Sequence, residues 1–239
     1  MTLDVEDYVF AMADNHRALL EYMKSLGPHR WDVDVKEATL RLTRTKRGLF
    51  GRQARGEVLV EWPIQMIGTH SVADNTWLWS WSNPGYTEEY IALQGVIAVR
   101  NEAARQGKEI FCAPGVIPIP DEYFTSVVGI VCAGYLGGFA PLSLPYDRGK
   151  ATAVVMRCPE IQDVARDPIE LPMRTARALT TDMPHIPFNH RRAVLAYLGE
   201  PQDEPITEIC WIAGSGFVNV VFDDQDRIDC VEIGVWKEE

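Results

Sequence analysis

The hydrophobic period changes once and abruptly near the start of the chain, and that change confines the fold to a mixed architecture. Apolar residues first fall at Val5, Tyr8, Val9, Met12, Leu19, Leu20, Met23 and Leu26, with His16 counted as half-apolar. This is the three-to-four spacing of a helix that buries one side. Gly27-Pro28 stops it. From Trp31 the period is two. Trp31, Val33 and Val35 alternate with Asp32 and Asp34, then Leu40 and Leu42 with Arg41 and Thr43, as half-buried strands do. Three further strands are expected at residues 58–62 (closed by Pro63), 64–72 and 76–82, separated by the turn signals Asp74-Asn75 and Asn83-Pro84-Gly85. Strands this close together pair most simply as an antiparallel meander.

Helical signals follow. Thr87 with Glu88 and Glu89 reads as a helix start, running to about Gln106 and stopping at Gly107. Residues 111–120 hold three prolines and read as rigid. Residues 124–146 carry no charge and are long enough to cross a bilayer. Gly129, Gly134, Gly137, Gly138, Pro141 and Pro145 interrupt them, however, and only 127–136 is strongly apolar, the length of a helix buried in a core. A sixth strand is expected at 151–157 and a helix at 169–181. Asn189 can cap a short helix through Leu198, which Gly199 would end. Strand patterns return at 206–213, at Val218, Val220 and Phe222, and at Val231, Ile233 and Val235. The expected class is α+β: a twisted antiparallel sheet packed on helices, with a small C-terminal helix-and-hairpin unit. The division expected is a main domain at 1–160 and, at 161–239, a helical linker plus a three-stranded antiparallel unit, the two able to pack as one.

Charge narrows the function. There are 23 Lys and Arg against 34 Asp and Glu, a net −11. Phosphate contacts need clustered cations, so nucleic acid is a poor partner. Residues 199–239 hold eleven acids and two bases, leaving a net of only −2 for the other 198 residues. Asp203, Glu204 and Glu208 open that segment, and Asp223, Asp224, Asp226 and Asp229 crowd one region of it. Such a face attracts a basic protein and speeds the encounter; a solvated face serving solubility has the same composition. Arg41, Arg44, Lys46, Arg47, Arg52 and Arg55 form an opposite run without acids, read as a solvated hairpin tip.

Motifs for chemistry are sparse. Trp77, Trp79 and Trp81 alternate, so one strand face would carry three indoles, either as a ligand platform or as core anchors. Cys112, Cys132, Cys158, Cys210 and Cys230 include no C-x-x-C pair and read as free thiols. The one enzymatic alternative uses Cys112 or His70 in a pocket beside the tryptophans. No histidine or cysteine spacing suits a metal, and no glycine-rich turn suits a phosphate, so no cofactor is expected. The acidic start lacks the basic-then-apolar order of a secretory signal, so a cytoplasmic protein is expected, with no membrane partner.

The run Trp77-Leu78-Trp79-Ser80-Trp81-Ser82-Asn83-Pro84 before a helix resembles a bacterial family of uncharacterised cytoplasmic proteins with a W-x-W-x-W/A-x-N-P strand end. The early strand at Trp31-Asp32-Val33-Asp34 and the later one at 154–157 fit the same family, over roughly residues 1–160. That resemblance brings no catalytic residue. Residues 194–201 with 218–228 are similar to the helix, L-G-x-P and V-x-V-x-F-D hairpin of small bacterial binding domains of the lipoprotein and beta-lactamase-inhibitor type. The reading that combines these features is a non-catalytic protein-binding module, an immunity-type antitoxin whose acids pair with the Lys and Arg of a basic toxin domain. Its alternatives are an enzyme using Cys112 or His70 and a small-ligand module using the tryptophan face.

Overall fold

The computed structural model describes residues 3–47, 53–54, 56–146, 149–162, 171–180, 186–200, 206–213 and 216–236. A 3-10 turn at Val5–Asp7 leads into helix α1 (Val9–Ser25), which buries Val9, Phe10, Met12 and Leu19 and stops before Gly27 at φ +72°. Strands β1 (His29–Asp34) and β2 (Thr39–Arg44) pair antiparallel where the alternation begins. Within the basic run, β3 (Lys46–Arg47) and β4 (Gln53–Ala54) form a two-stranded ribbon.

Pro63 does not close a strand. Residues 58–62 and 64–72 were expected as two strands, yet β5 (Val58–Ser71) is one strand that exchanges partners at the proline. Val58 to Pro63 pair with β2; Ile64 to Ser71 pair with β9 (Gly149–Val155). Proline lacks an N–H and is tolerated where a ladder ends. The Pro63 carbonyl still accepts from Met156 N at 2.8 Å. Strand β6 (Thr76–Trp79) is also shorter than expected, because Ser80–Ser82 turn as a 3-10 helix. The Ser80 hydroxyl donates to the carbonyls of Met66 and Ile67 and fixes that turn to β5.

Helix α2 (Gln94–Gln106) starts seven residues later than Thr87 suggests. Its cap is supplied by tertiary structure. Gln65 of β5 accepts from Gly95 N at 2.6 Å and donates to Ile91 O at 3.1 Å. A Cβ at Gly95 would lie 2.7 Å from Gln65 Oε1, so a side chain there would displace the amide that makes this cap. Gly107 ends α2 at φ +67°. The proline-rich stretch contains the short helix α3 (Glu109–Cys112) and strand β7 (Val116–Pro118), which pairs with β6.

The charge-free run is a buried helix, α4 (Phe124–Tyr135), followed by a strand not expected from sequence, β8 (Ala140–Tyr146). β8 pairs with β9, completing a seven-stranded antiparallel sheet. Among the described residues no helix is long and apolar enough to cross a membrane. Tyr8 packs its ring where a Cβ on Gly134 would stand, so α4 lies close against the start of α1.

Helices α5 (Pro159–Gln162), α6 (Leu171–Thr180) and α7 (His190–Leu198) lead to the C-terminal sheet. The expected ends of α7 are present: Asn189 Oδ1 accepts from Arg192 N at 2.9 Å, and Gly199 takes φ +76°. Strands β10 (Glu208–Ala213), β11 (Gly216–Phe222) and β12 (Ile228–Val235) form a three-stranded antiparallel sheet. The architecture is α+β. One core cluster runs from Leu3 through Val194 to Val220, and Phe10 packs edge-on to Phe188 at 5.6 Å.

Candidate functional site

The C-terminal sheet has two unlike faces. Ile209, Val218, Val220 and Phe222 are buried on the side packed by α6. The alternate residues form the other side. Cross-strand register places Ile212 opposite Phe217 and Phe217 opposite Gly234. A Cβ at Gly234 would lie 2.1 Å from the Phe217 ring, so glycine lets this ring lie flat across β12. Trp236 follows on the same side, 5.5 Å from Phe217 between ring centres. The result is an apolar row across three strands that stays in solvent: Ile212 is 69% exposed and Trp236 55%. Cys210, Asn219 and Glu232 make the next row, then Glu208, Val221 and Cys230. Large apolar side chains clustered in the open are a recognised mark of an interaction surface.

The acids expected to bind a partner divide into three groups. Asp203 and Glu204 lie outside the described residues. Asp223, Asp226 and Glu208 have internal partners. Asp223 accepts from the backbone of Gln225 and Arg227 and from the Arg227 guanidinium at 2.8–2.9 Å, which holds its carboxyl below the usual range. Asp226 pairs with Arg191 at 2.8 Å, and Glu208 accepts from Asn219 at 2.7 Å. Asp224 and Asp229 are exposed. Asp229 is the extra residue of a bulge, since Cys230 pairs with Val221 while Ile228 pairs with Phe222. Sequence reasoning missed Glu232, Ile212, Phe217 and Trp236; the second register of the same alternation, opposite to Val218 and Val220, carries their signal.

The tryptophan face is not an open platform. Trp77 and Trp79 are fully buried, edge to face at 5.5 Å, with Phe124 and Phe111 each 5.8 Å from one of them. Trp81 leaves the strand, stacks on Trp79 at 6.5 Å and is covered by the Arg100 guanidinium at 5.1 Å. Burial of aromatic area in the core explains this arrangement without a ligand. Cys112 and His70 stand on different elements, α3 and β5. The Cys112 thiol sits over the carbonyls of Lys108 and Glu109. His70 stands in register between Trp77 and Lys150, its Nε2 buried without a hydrogen-bond partner among the described residues. Burial pushes the Cys158 thiol up to about 12, and Cys132 also upward. Among the described residues no group of three His, Cys, Asp or Glu could hold a metal.

A separate cavity of about 510 Å³ opens between α1, α4 and the β8–β9 hairpin. Its floor is Met12, Ile130, Leu142 and Thr152, all buried; Leu20, Ser126, Ser143 and Lys150 stand exposed at its rim. His16 donates from Nδ1 to the Pro141 carbonyl at 2.7 Å and pins α1 to β8. The acceptor is a carbonyl, so that nitrogen carries the proton.

With these surfaces described, comparison with known proteins gives a class but no activity. A family model, the Family of unknown function (DUF6882), matches residues 4–158, and the chain belongs to that family. The matched segment contains the large sheet, α1 to α4 and the cavity; the C-terminal sheet lies beyond it. No curated protein matches the chain. No solved structure matches it.

Proposed function

We propose that the protein is a non-catalytic binding module that holds a basic protein on the outer face of its C-terminal sheet. Its role is that of an immunity-type antitoxin covering a basic toxin domain. The observation that carries this reading is the exposed Ile212–Phe217–Trp236 row within the segment that holds most of the net negative charge. Tryptophan is among the residue types enriched at interface hot spots, and acids around it steer a cationic partner and resist a wrong one. Glu232 beside the row, with Asp224 and Asp229 toward the turn, supplies exposed charge. Asp223 and Asp226 instead hold the turn closed through Arg227 and Arg191.

The test uses tagged protein as bait in native-host lysate, at low and high salt, beside two variants. One carries Asp224→Lys, Asp229→Lys and Glu232→Lys; the other carries Trp236→Ala. The expected result is a stoichiometric basic polypeptide held by the parent, weakened by salt and lost from both variants. Coexpression should then relieve growth arrest caused by that polypeptide. Capture that is unchanged by both variants, or no capture at either salt, would overturn the reading.

A further inference from the structure

The geometry points to a second binding site, independent of the C-terminal sheet: we propose that the cavity between α1, α4 and the β8–β9 hairpin takes a small amphiphilic carboxylate. Its volume, about 510 Å³, falls in the range of small-molecule sites. The shape of the ligand follows from how the wall is graded. Met12, Ile130 and Leu142 are aliphatic and buried, and the one ring of the wall is the small imidazole of His16, held to Pro141. An alkyl chain fits such a floor; a base or a sugar finds no Phe, Tyr or Trp on which to stack. The hydroxyls Thr125, Ser126 and Ser143 line the upper wall, where a polar head would meet water and donors together.

Charge selects the head. Two cations face the cavity, Arg17 and Lys150. Arg17 is already neutralised, by Asp14 at 3.0 Å and Glu21 at 3.1 Å. Lys150 is exposed at the rim and has no ion-pair partner among the described residues. Its ammonium is the unbalanced charge of the wall, so a cationic head would be repelled and a neutral one would gain little. The site is also preformed. The His16–Pro141 bond ties the helix to the strand, and Gly129 brings α4 onto Pro141, where a Cβ would already be 3.1 Å from its neighbour. A preformed site does not spend binding energy on ordering its own wall.

The experiment is calorimetric titration of the full chain with decanoate, beside decanol and decyltrimethylammonium as neutral and cationic heads on the same tail. Saturable one-to-one binding of decanoate is expected, with decanol weaker and the cation inactive. Lys150→Glu, on an exposed side chain, should weaken decanoate by about ten-fold or more while leaving decanol unchanged. Ala13→Phe, which fills the space from α1, should abolish both with the circular dichroism spectrum retained. Should that variant fail to fold, Lys150→Glu decides alone. The proposal is overturned by absent or non-saturable decanoate binding, by decanol binding as tightly as decanoate, or by equal affinity in Lys150→Glu. None of these outcomes touches capture of a basic protein by Trp236, so the two sites are tested separately.

Discussion

Asp14 of α1 accepts both contacts of Arg174 Nε, at 2.6 and 2.8 Å, across 160 residues of sequence. The carboxylate is buried, and Arg17 meets it from its own helix at 3.0 Å. Two guanidiniums therefore share one acid, and Arg17 also reaches the exposed Glu21 at 3.1 Å. The pair couples the family segment to α6, which packs the inner face of the C-terminal sheet. Asp14→Ala would leave both cations without their shared partner in a dry site. Loss of one member of a buried pair costs about 3–5 kcal/mol. Urea unfolding should show a loss of that order, and hydrogen exchange should accelerate first in α6. A change within experimental error would mean that this pair does not hold α6 to the family segment, leaving apolar packing and the Arg192 pairs with Asp4 and Asp7 to do so.

The thiols sort by burial. Cys210 and Cys230 are exposed on the outer face, whereas Cys132 and Cys158 are buried with thiols held protonated by desolvation. Thiolate is the reactive form, so labelling requires both access and ionisation. Native protein at pH 8 should therefore label Cys210 and Cys230 quickly, with Cys132 and Cys158 silent until denaturant is added. Peptide mapping by mass spectrometry distinguishes them. Binding of a protein partner on the outer face should slow labelling of Cys210 and Cys230 and leave Cys112 unaffected. Early modification of Cys132 in the native protein would contradict the packing of α4.

Gly68 carries the Trp77 ring. A Cβ there would stand 2.4 Å from Cζ2 of the indole and 2.7 Å from the Leu78 carbonyl. Neither neighbour can withdraw, since Trp77 is fully buried against Trp79 and Phe124 and Leu78 O is backbone. Overpacking of a filled core costs about 1–3 kcal/mol. Gly68→Ala should lower the unfolding free energy by that amount and alter the near-ultraviolet circular dichroism of the tryptophans. An unchanged aromatic spectrum would show that the ring is not seated on this glycine.

Legibility of the fold tracked how local each cause was. Leu40 and Leu42 alternate with polar neighbours, and Asn189 and Gly199 bracket a short helix; both signals sit within a few residues, and both elements formed. The start of α2 is set by Gln65, thirty residues upstream of Gly95, so Thr87 gave a false boundary. Strand β8 was hidden because it continues the charge-free run of α4, and buried elements of either kind lose the polar half of their pattern. The acidic segment was visible as composition, but which acids are spent internally was not: Arg191 lies in another element and takes Asp226. The cavity could not be seen at all, since its walls come from α1, α4 and β8–β9, which only folding brings together.

His190 gives the C-terminal unit an acid-sensitive tie. Its Nδ1 accepts from Ile228 N at 3.3 Å, joining the first residue of α7 to the first of β12, so the ring must keep a lone pair there. Burial, and then the Arg227 cation, hold its pKa below the ordinary histidine value of 6.5. The sign follows from proton counting. Between the folded pKa and 6.5 the unfolded chain binds a proton that the folded chain does not, so stability falls as pH drops through that window and is fully present above it. The unfolding midpoint should decline from pH 7.5 towards pH 5. His190→Gln, which cannot take up the proton, should decline less over the same range, the difference between the two curves isolating this group from the carboxylates. Chemical shifts of the His190 ring should report a midpoint below 6.5 in the folded protein. A midpoint above that value, or parallel curves for parent and variant, would show that the ring is charged in the fold and that the tie to Ile228 does not form.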